Sequence, residues 1–120
     1  MNSDELKMLT KQFALRVIRM SEAIPTNNAG NVISRQLLRC STSVGANYRA
    51  ACRGRSKAEF VSKLQTVIEE ADECCYWMEL LIESGLLPSN RVEGLLDEAN
   101  QITAIMVASR KTALLDEDQS

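Results

Sequence analysis

Apolar side chains recur every three or four residues through most of this chain, and this spacing constrains the fold more than any other feature. The clearest run covers residues 60–81, where seven apolar residues follow one another at that spacing. Residues three and four apart lie on one face of a helix, so the run predicts an α-helix with a buried face. Similar runs precede and follow it, with glycine or proline between them. The chain is therefore predicted to be all-α.

Four helical segments account for nearly the whole chain. Their starts are predicted from residues that cap helices, and their ends from glycine and proline. The expected caps are Ser3, Asn31, Ser56 and Asn90. The expected breaks follow Ile24, Gly54 and Gly85. Short connections between consecutive helices favour an up-down-up-down antiparallel four-helix bundle over residues 1–115. Residues 116–120 are acidic and are expected to be a frayed tail.

Three polar residues carry structural predictions at the second and third helices. Ser56 and Glu59 form a capping box, in which the serine covers the Glu59 amide and the glutamate reaches back. Asn47 stands between predicted core positions, and a buried amide that sets register is favoured over a recognition residue. Gly45 lies inside the second helix at a cost of about 1 kcal/mol, which indicates the close approach of another helix.

The third helix carries a second apolar stripe beside its main one. The stripe consists of Val61, Ile68, Cys75 and Ile82. A helix with two apolar stripes must pack against other elements on two sides. Its own bundle buries one stripe, and a partner chain is the leading candidate to bury the other. Trp77 follows Tyr76 among acidic residues rather than arginines, so packing at a subunit interface is favoured over base stacking.

Charge is distributed unevenly along the chain. Residues 35–63 hold seven basic side chains and one acidic one, whereas residues 64–120 hold twelve acidic and three basic ones. Such a split indicates either a polyanion-binding end or pairing between neighbouring helices. In an antiparallel hairpin, Arg35 and Arg39 fall beside the acidic part of the third helix, so we expect them to be paired.

The other five basic residues gather where the second and third helices join. This set, called the basic tip below, consists of Arg49, Arg53, Arg55, Lys57 and Lys63. Charged residues from both termini are expected at the same end, leaving a local excess of two positive charges per chain. Oligomerisation would repeat that excess, and polyanion affinity rises steeply with the number of phosphates neutralised.

The amino-acid composition argues against catalytic, metal-binding and membrane-spanning roles. The chain has no histidine, and its carboxylates are spread over exposed helix positions, so no catalytic group stands out. Four cysteines occur without a Cys-x-x-Cys pair and are interpreted as reduced, buried thiols, with no metal or cofactor expected. No apolar run is long enough to span a membrane, and the start lacks a secretion signal. A cytoplasmic location is expected.

Several motifs resemble one protein family. They are residues 36–39 (Gln-Leu-Leu-Arg), 43–48 (Ser-Val-Gly-Ala-Asn-Tyr), 55–60 (Arg-Ser-Lys-Ala-Glu-Phe) and 70–81, which begin Glu-Ala-Asp-Glu-Cys-Cys. In this order they resemble the bacterial four-helix bundle proteins encoded in intervening sequences of 23S ribosomal RNA genes. The resemblance implies an up-down bundle that forms a homopentamer. It also implies distant similarity to accessory proteins of diversity-generating retroelements, pentameric barrels that bind nucleic acid and a reverse transcriptase.

Two function hypotheses follow. The first is a non-enzymatic oligomer that binds RNA or DNA through phosphate contacts at the basic tip. The alternative is a structural or adaptor protein whose basic tip docks on an acidic protein partner. An enzyme is not expected, because no candidate catalytic residues are found.

Overall fold

The computed structural model describes residues 1–119, and their side chains as far as Asp116. The four helices are α1 (Ser3–Ser21), α2 (Asn28–Cys52), α3 (Lys57–Glu83) and α4 (Ser89–Gln119). Residues 1–119 contain no strand. The molecule measures 52 × 21 × 20 Å, so the helices lie along one long axis. The predicted all-α fold of four helices is confirmed.

Consecutive helices are neighbours in the bundle. α2 packs against α3, α3 packs against α4, and α1 contacts α2 and, less extensively, α4. α1 does not contact α3, and α2 does not contact α4, within the described part of the chain. α3 is therefore covered on two sides by helices of its own chain.

The core is a continuous apolar column along this axis. Phe13 of α1, Leu37 of α2, Met78 of α3 and Ile102 of α4 are each at most 1% exposed. The main apolar stripe of α3 is buried from Leu64 onward, and the Phe60 at its start is half-buried. The spacing of apolar residues thus identified the buried face of α3.

The starts of α1 and α2 differ from the sequence prediction. α1 is capped by Asn2 rather than Ser3, and the Asn2 side chain accepts a hydrogen bond from the Glu5 amide at 2.9 Å. α2 is capped by Asn27 rather than Asn31, and Asn27 Oδ1 accepts from the Gly30 amide at 2.7 Å. Both predictions were wrong because several good capping residues stand close together along the chain. At α2, the turn after Pro25 selects Asn27.

The start and the end of α3 agree with the prediction. Ser56 caps α3, and its hydroxyl accepts a hydrogen bond from the Glu59 amide at 3.1 Å. The Glu59 carboxylate reaches back to the Arg55 amide at 3.2 Å, one residue before the position expected for a capping box. Gly85 ends α3 with a φ of 75°, a left-handed conformation that glycine adopts at little cost.

α4 is longer than expected. It continues to Gln119, into the segment for which a frayed tail was predicted. Ser120 and the side chains beyond Asp116 lie outside the described part of the chain. The acidic side chains predicted for the tail, apart from Asp116, therefore lie outside it as well. At its other end, α4 begins at Ser89, so Asn90 lies within the helix and the prediction that it caps the helix is wrong. The Ser89 hydroxyl donates to the Glu93 carboxylate at 3.2 Å.

Gly45 has the packing reason that the sequence suggested. A Cβ atom placed on it would lie 3.3 Å from Thr10 Oγ1 on α1. Thr10 is fully buried, and its hydroxyl donates to the Leu6 carbonyl at 2.8 Å. The hydroxyl is thereby satisfied within α1, and the two helix backbones approach closely at this point.

A pair of glycine substitutions tests the turn before α2. A Cβ on Gly30 would lie 1.9 Å from the Pro25 carbonyl oxygen, whereas one on Gly94 in α4 would have no neighbour within 4 Å. We expect Gly30→Ala to lower the free energy of unfolding by about 1–3 kcal/mol, because the turn must shift. Gly94→Ala should raise it by about 0.5–1 kcal/mol, because alanine has the higher helix propensity. Urea unfolding measures both, and a Gly30→Ala variant as stable as the wild type would contradict the turn geometry.

Candidate nucleic-acid interface

The basic tip is divided over three parts of the surface. Arg49 and Arg53, at the end of α2, line a groove between α1 and α2. Arg55 and Lys57 line a second cavity at the end of the bundle. Lys63 lies further along α3, half-buried, and lines neither cavity. The five residues are at one end of the molecule, but they do not form a single patch.

The groove between α1 and α2 has a volume of about 690 Å³. Lys7 and Lys11 of α1 line it together with Arg49 and Arg53 of α2. Lys7 was expected at this end of the bundle among the charged residues of the termini, whereas Lys11 was not predicted there. Their spacing of four residues places them on one face of α1. That this face borders α2 follows only from the packing.

The second cavity lies among four helix ends and has a volume of about 630 Å³. It is lined by Ser3 at the start of α1, Arg55 and Lys57 at the start of α3, and Asp116 near the end of α4. The acidic end of α4 therefore comes close to part of the basic tip, as the charge analysis expected. Among the described residues, however, Asp116 makes no ion pair with either cation.

Ion pairing separates the cations of α2 into two kinds. Arg39 pairs with Glu70 and Glu73 of α3, at 3.0 Å to Glu70 Oε2, which confirms its predicted partners. Desolvation lowers the pKa of Arg39, but the charges of Glu70 and Glu73 outweigh it and raise the pKa overall. Arg35 and the five residues of the basic tip have no ion-pair partner within residues 1–116. The prediction that Arg35 is paired is wrong for that part of the chain.

The second apolar stripe of α3 is covered within the subunit. Val61 and Cys75 are 9% and 6% exposed, and the Cys75 thiol lies 3.5 Å from Asn100 Oδ1 on α4. Ile68 and Ile82 are partly buried against the same core. The second stripe is thus buried within the single chain, with α4 packed beside Cys75, whereas a partner chain was the leading candidate to bury it.

Trp77 is held by its neighbours on α3. Its indole nitrogen donates to Glu73 Oε2 at 3.1 Å, and its ring meets Tyr76 edge-on with centroids 5.1 Å apart. Trp77 is partly buried against the core, whereas Tyr76 is 53% exposed. Neither ring lines the groove or the end cavity, so neither adds a stacking surface to those two sites.

Asn47 makes its hydrogen bonds within α2. Its amide nitrogen donates to the Ser43 carbonyl oxygen at 3.0 Å and to the Ser43 hydroxyl at 2.8 Å. The side chain is half-buried, and no hydrogen bond joins it to another helix in the described part of the chain. It therefore stabilises a turn of α2 instead of setting the register between two helices.

Two of the four thiols meet in the core. Cys40 Sγ of α2 and Cys74 Sγ of α3 lie 3.2 Å apart, and both residues are fully buried. The hydrogen bond with Cys40, together with burial, raises the pKa of Cys74. Burial, with smaller contributions from Asp72 and Glu79, raises the pKa of Cys75 to about 11. Cys52 is half-buried beside Tyr48, whose pKa is raised by burial and by a hydrogen bond with this thiol.

Residues 1–116 contain no group of three or more histidine, cysteine, aspartate or glutamate side chains arranged to hold a metal ion. Within the described chain, none of the helices combines the length and apolar character that crossing a membrane requires.

The fold and its surface define a four-helix bundle with cationic side chains concentrated at one end. Residues 5–108 match the model of the 23S rRNA-intervening sequence protein family, and the chain belongs to that family. It is also similar to the crystal structure of a protein of unknown function from the S23 ribosomal protein family of Bacteroides thetaiotaomicron. The identity is 31% with a TM-score of 0.84, over 92% of this chain and 99% of the other. No curated protein matches the chain.

Thiol labelling tests the burial pattern. We expect Cys52 to react first with a maleimide in the folded protein, because it is the least buried of the four thiols. Cys75 should react more slowly, and its rate should rise with pH because its pKa lies near 11 and only the thiolate attacks. Mass spectrometry of labelled peptides gives each rate, and Cys52→Ser should remove the fast phase. Labelling of Cys40 or Cys74 as fast as Cys52 would contradict the packing.

Proposed function

We propose that the protein is a non-enzymatic oligomer that binds nucleic acid, RNA in particular, through its basic tip. The observation that carries the proposal is the concentration, at one end of the molecule, of cations without an ion-pair partner. Arg16 and Arg39 lie against carboxylates of α4 and α3, whereas no residue of the basic tip has such a partner within residues 1–116. Exposed, unpaired arginine and lysine side chains at one end of a molecule are suited to phosphate contacts.

Phosphate contacts would make binding strongly dependent on salt and weakly dependent on sequence. Each neutralised phosphate releases counterions, so the logarithm of the affinity should fall linearly with the logarithm of the salt concentration. The absence of histidine and of a metal-binding group among residues 1–116 supports a binding role over a catalytic one. The four free thiols support a reducing compartment, and we propose the cytoplasm.

The up-down-up-down topology belongs to the same proposal. Residues from the starts of α1 and α3 and from the ends of α2 and α4 line one cavity, which supports alternating helix directions. In that arrangement the ends that carry Arg55, Lys57 and Asp116 lie together. The basic tip then depends on helix direction as much as on composition.

We further propose self-association as a homopentamer, as the family resemblance implies. Several large apolar side chains are exposed on the single chain, among them Tyr76 at 53%, Leu115 at 52% and Val107 at 48%. These residues support burial against another copy, since Val61 and Cys75 are already buried within the single chain. A ring would bring several copies of the basic tip together and raise the number of phosphates each assembly can neutralise.

Two arginines on α2 test the binding proposal. Arg53 and Arg35 are both exposed, but they lie about 27 Å apart along the helix axis, since each residue adds 1.5 Å. We expect Arg53→Gln to weaken binding of a fluorescein-labelled polyuridine strand about three- to fivefold at low salt. Arg35→Gln should leave the affinity unchanged, and fluorescence anisotropy measures both.

The outcomes of this titration separate the two function hypotheses. If the wild type has no affinity for RNA or DNA at low salt, the binding proposal is wrong. Retention of an acidic protein from a nuclease-treated lysate would then favour the adaptor role. Equal losses in both variants would indicate non-specific attraction in place of a site.

Light scattering tests the assembly. A homopentamer at micromolar concentration should have five times the 13.3 kDa mass of the chain. Val107→Lys should shift the mass distribution toward smaller species if the exposed face of α4 is buried between copies, because a charge would then be buried. A monomer mass for the wild type would overturn the proposal of self-association.

A further inference from the structure

We infer that the groove between α1 and α2 is the path of a single nucleic-acid strand, and that Lys7 and Lys11 hold its phosphates together with Arg49 and Arg53. This rests on the proposed function, because it presumes that nucleic acid is the ligand. It goes further by naming the route, the form of the ligand and two phosphate-binding residues on α1. It also divides the basic tip, since Arg55 and Lys57 line a different cavity.

The groove is open because its floor is made of small side chains. Thr10 and Ala14 of α1 face Gly45 and Ala46 of α2 along it. The two helices approach so closely at Thr10 and Gly45 that a Cβ on the glycine would lie 3.3 Å from Thr10 Oγ1. Small residues along the contact leave space above it, which larger side chains would fill. The result is the volume of about 690 Å³ that the four cations border.

The cations form two rows. Lys7 and Lys11 are four residues apart on α1, and Arg49 and Arg53 are four residues apart on α2. The rise of an α-helix gives about 6 Å between the members of each pair. Because Thr10 faces Gly45 and the two helices run in opposite directions, Lys7 is level with Arg49, whereas Lys11 lies nearer the middle of the molecule and Arg53 nearer its end. A strand lying between the rows therefore meets a cation on each side near Lys7 and Arg49, and a cation on one side before and after them. This double row is the arrangement that charge complementarity with a polyanion requires.

One carboxylate interrupts the positive lining. Asp4 is the acidic residue that borders the groove, and its Oδ1 lies 3.9 Å from Lys7 Nζ. The Asp4 side chain is 91% exposed, so this pair is weakly held. Lys11, Arg49 and Arg53 have no ion-pair partner within residues 1–116. Three of the four cations are thus available, and the fourth is only weakly engaged.

The shape of the groove selects the form of the ligand. The axes of packed helices lie about 8–10 Å apart, so the cleft above their contact can seat one phosphodiester backbone but not both backbones of a duplex. No aromatic residue lines the groove, so bases have nothing to stack on. The contacts fall on the phosphodiester backbone, and a single strand of any sequence satisfies them.

Matched glutamate substitutions locate the strand. Ala46 lines the groove, whereas Ala58 lies beside Lys57 at the corner between α2 and α3, and both residues are exposed. Ala46→Glu should weaken binding of a labelled polyuridine strand about fivefold at low salt, because a carboxylate would lie among the phosphates. Ala58→Glu should change the affinity by less than about twofold. Equal losses, or a larger loss for Ala58→Glu, would overturn the groove assignment.

A substitution that raises the affinity provides a further test, because a misfolded variant would bind more weakly. Asp4→Asn removes the carboxylate of the groove and frees Lys7, so we expect the polyuridine affinity to rise about two- to fivefold. Asp97→Asn, on the exposed surface of α4, makes the same change of charge away from the groove and should have no effect. Circular dichroism checks that both variants are folded. An unchanged or lower affinity for Asp4→Asn, or an equal gain for Asp97→Asn, would count against the inference.

The salt dependence tests the two lysines directly. Lys7→Gln combined with Lys11→Gln should reduce the slope of log affinity against log salt by about 1.4, since each single-strand phosphate contributes about 0.7. An unchanged slope would remove Lys7 and Lys11 from the site. Annealing the strand to polyadenine should weaken binding, and a duplex that binds as tightly would contradict the single-strand assignment.

Failure of this inference is distinguishable from failure of the proposed function. If the wild type binds no RNA or DNA, the proposed function and the groove assignment both fall. If it binds but Ala46→Glu and Ala58→Glu do not differ, nucleic-acid binding stands and the groove assignment alone is wrong. Polyglutamate that binds as tightly as polyuridine would replace the strand with an acidic peptide as the occupant.

Discussion

Burial of α3 on two sides is the constraint on which the rest of the structure depends. One apolar stripe of this helix packs into the core from Leu64 to Leu81, and a second, from Val61 to Ile82, lies beside it. α2 and α4 cover the helix between them, and short connections keep each next to α3. α1 is then left to close the bundle against α2 and α4. The order of the helices therefore follows from the need to bury α3.

The closing contact of α1 determines the surface that we consider functional. Thr10 turns its hydroxyl back to the Leu6 carbonyl at 2.8 Å, so a polar residue can be fully buried at the contact. Gly45 removes the side chain that would hold α2 away from it. Larger residues at these two positions would either hold the helices further apart or fill the groove between them. The close approach and the groove above it are thus two results of the same residue choices.

Charge on α2 serves two purposes, one at the middle of the helix and one at its end. Arg39 joins α2 to Glu70 and Glu73 of α3, and Glu73 also accepts from the Trp77 indole, so this part of the helix pair is held by a small polar network. Exposed networks of this kind add little stability but help to align neighbouring helices. Arg49 and Arg53 have no carboxylate of residues 1–116 to pair with. Similar residues on one helix thus differ in role because of what stands opposite them.

Local pattern by itself determined the four helices, the buried face of α3, the Gly85 stop, the Ser56 cap and the partners of Arg39, because each depends on neighbours along the chain or on a simple hairpin register. Tertiary structure alone decided among competing caps, where Asn27 prevails over Asn31 because the turn brings the Pro25 carbonyl against Gly30. It also decided that α4 covers Cys75, and that Lys7 and Lys11 border the same groove as Arg49 and Arg53. Helical periodicity says which residues share a face, but the neighbour of that face is set by packing between segments far apart in the chain.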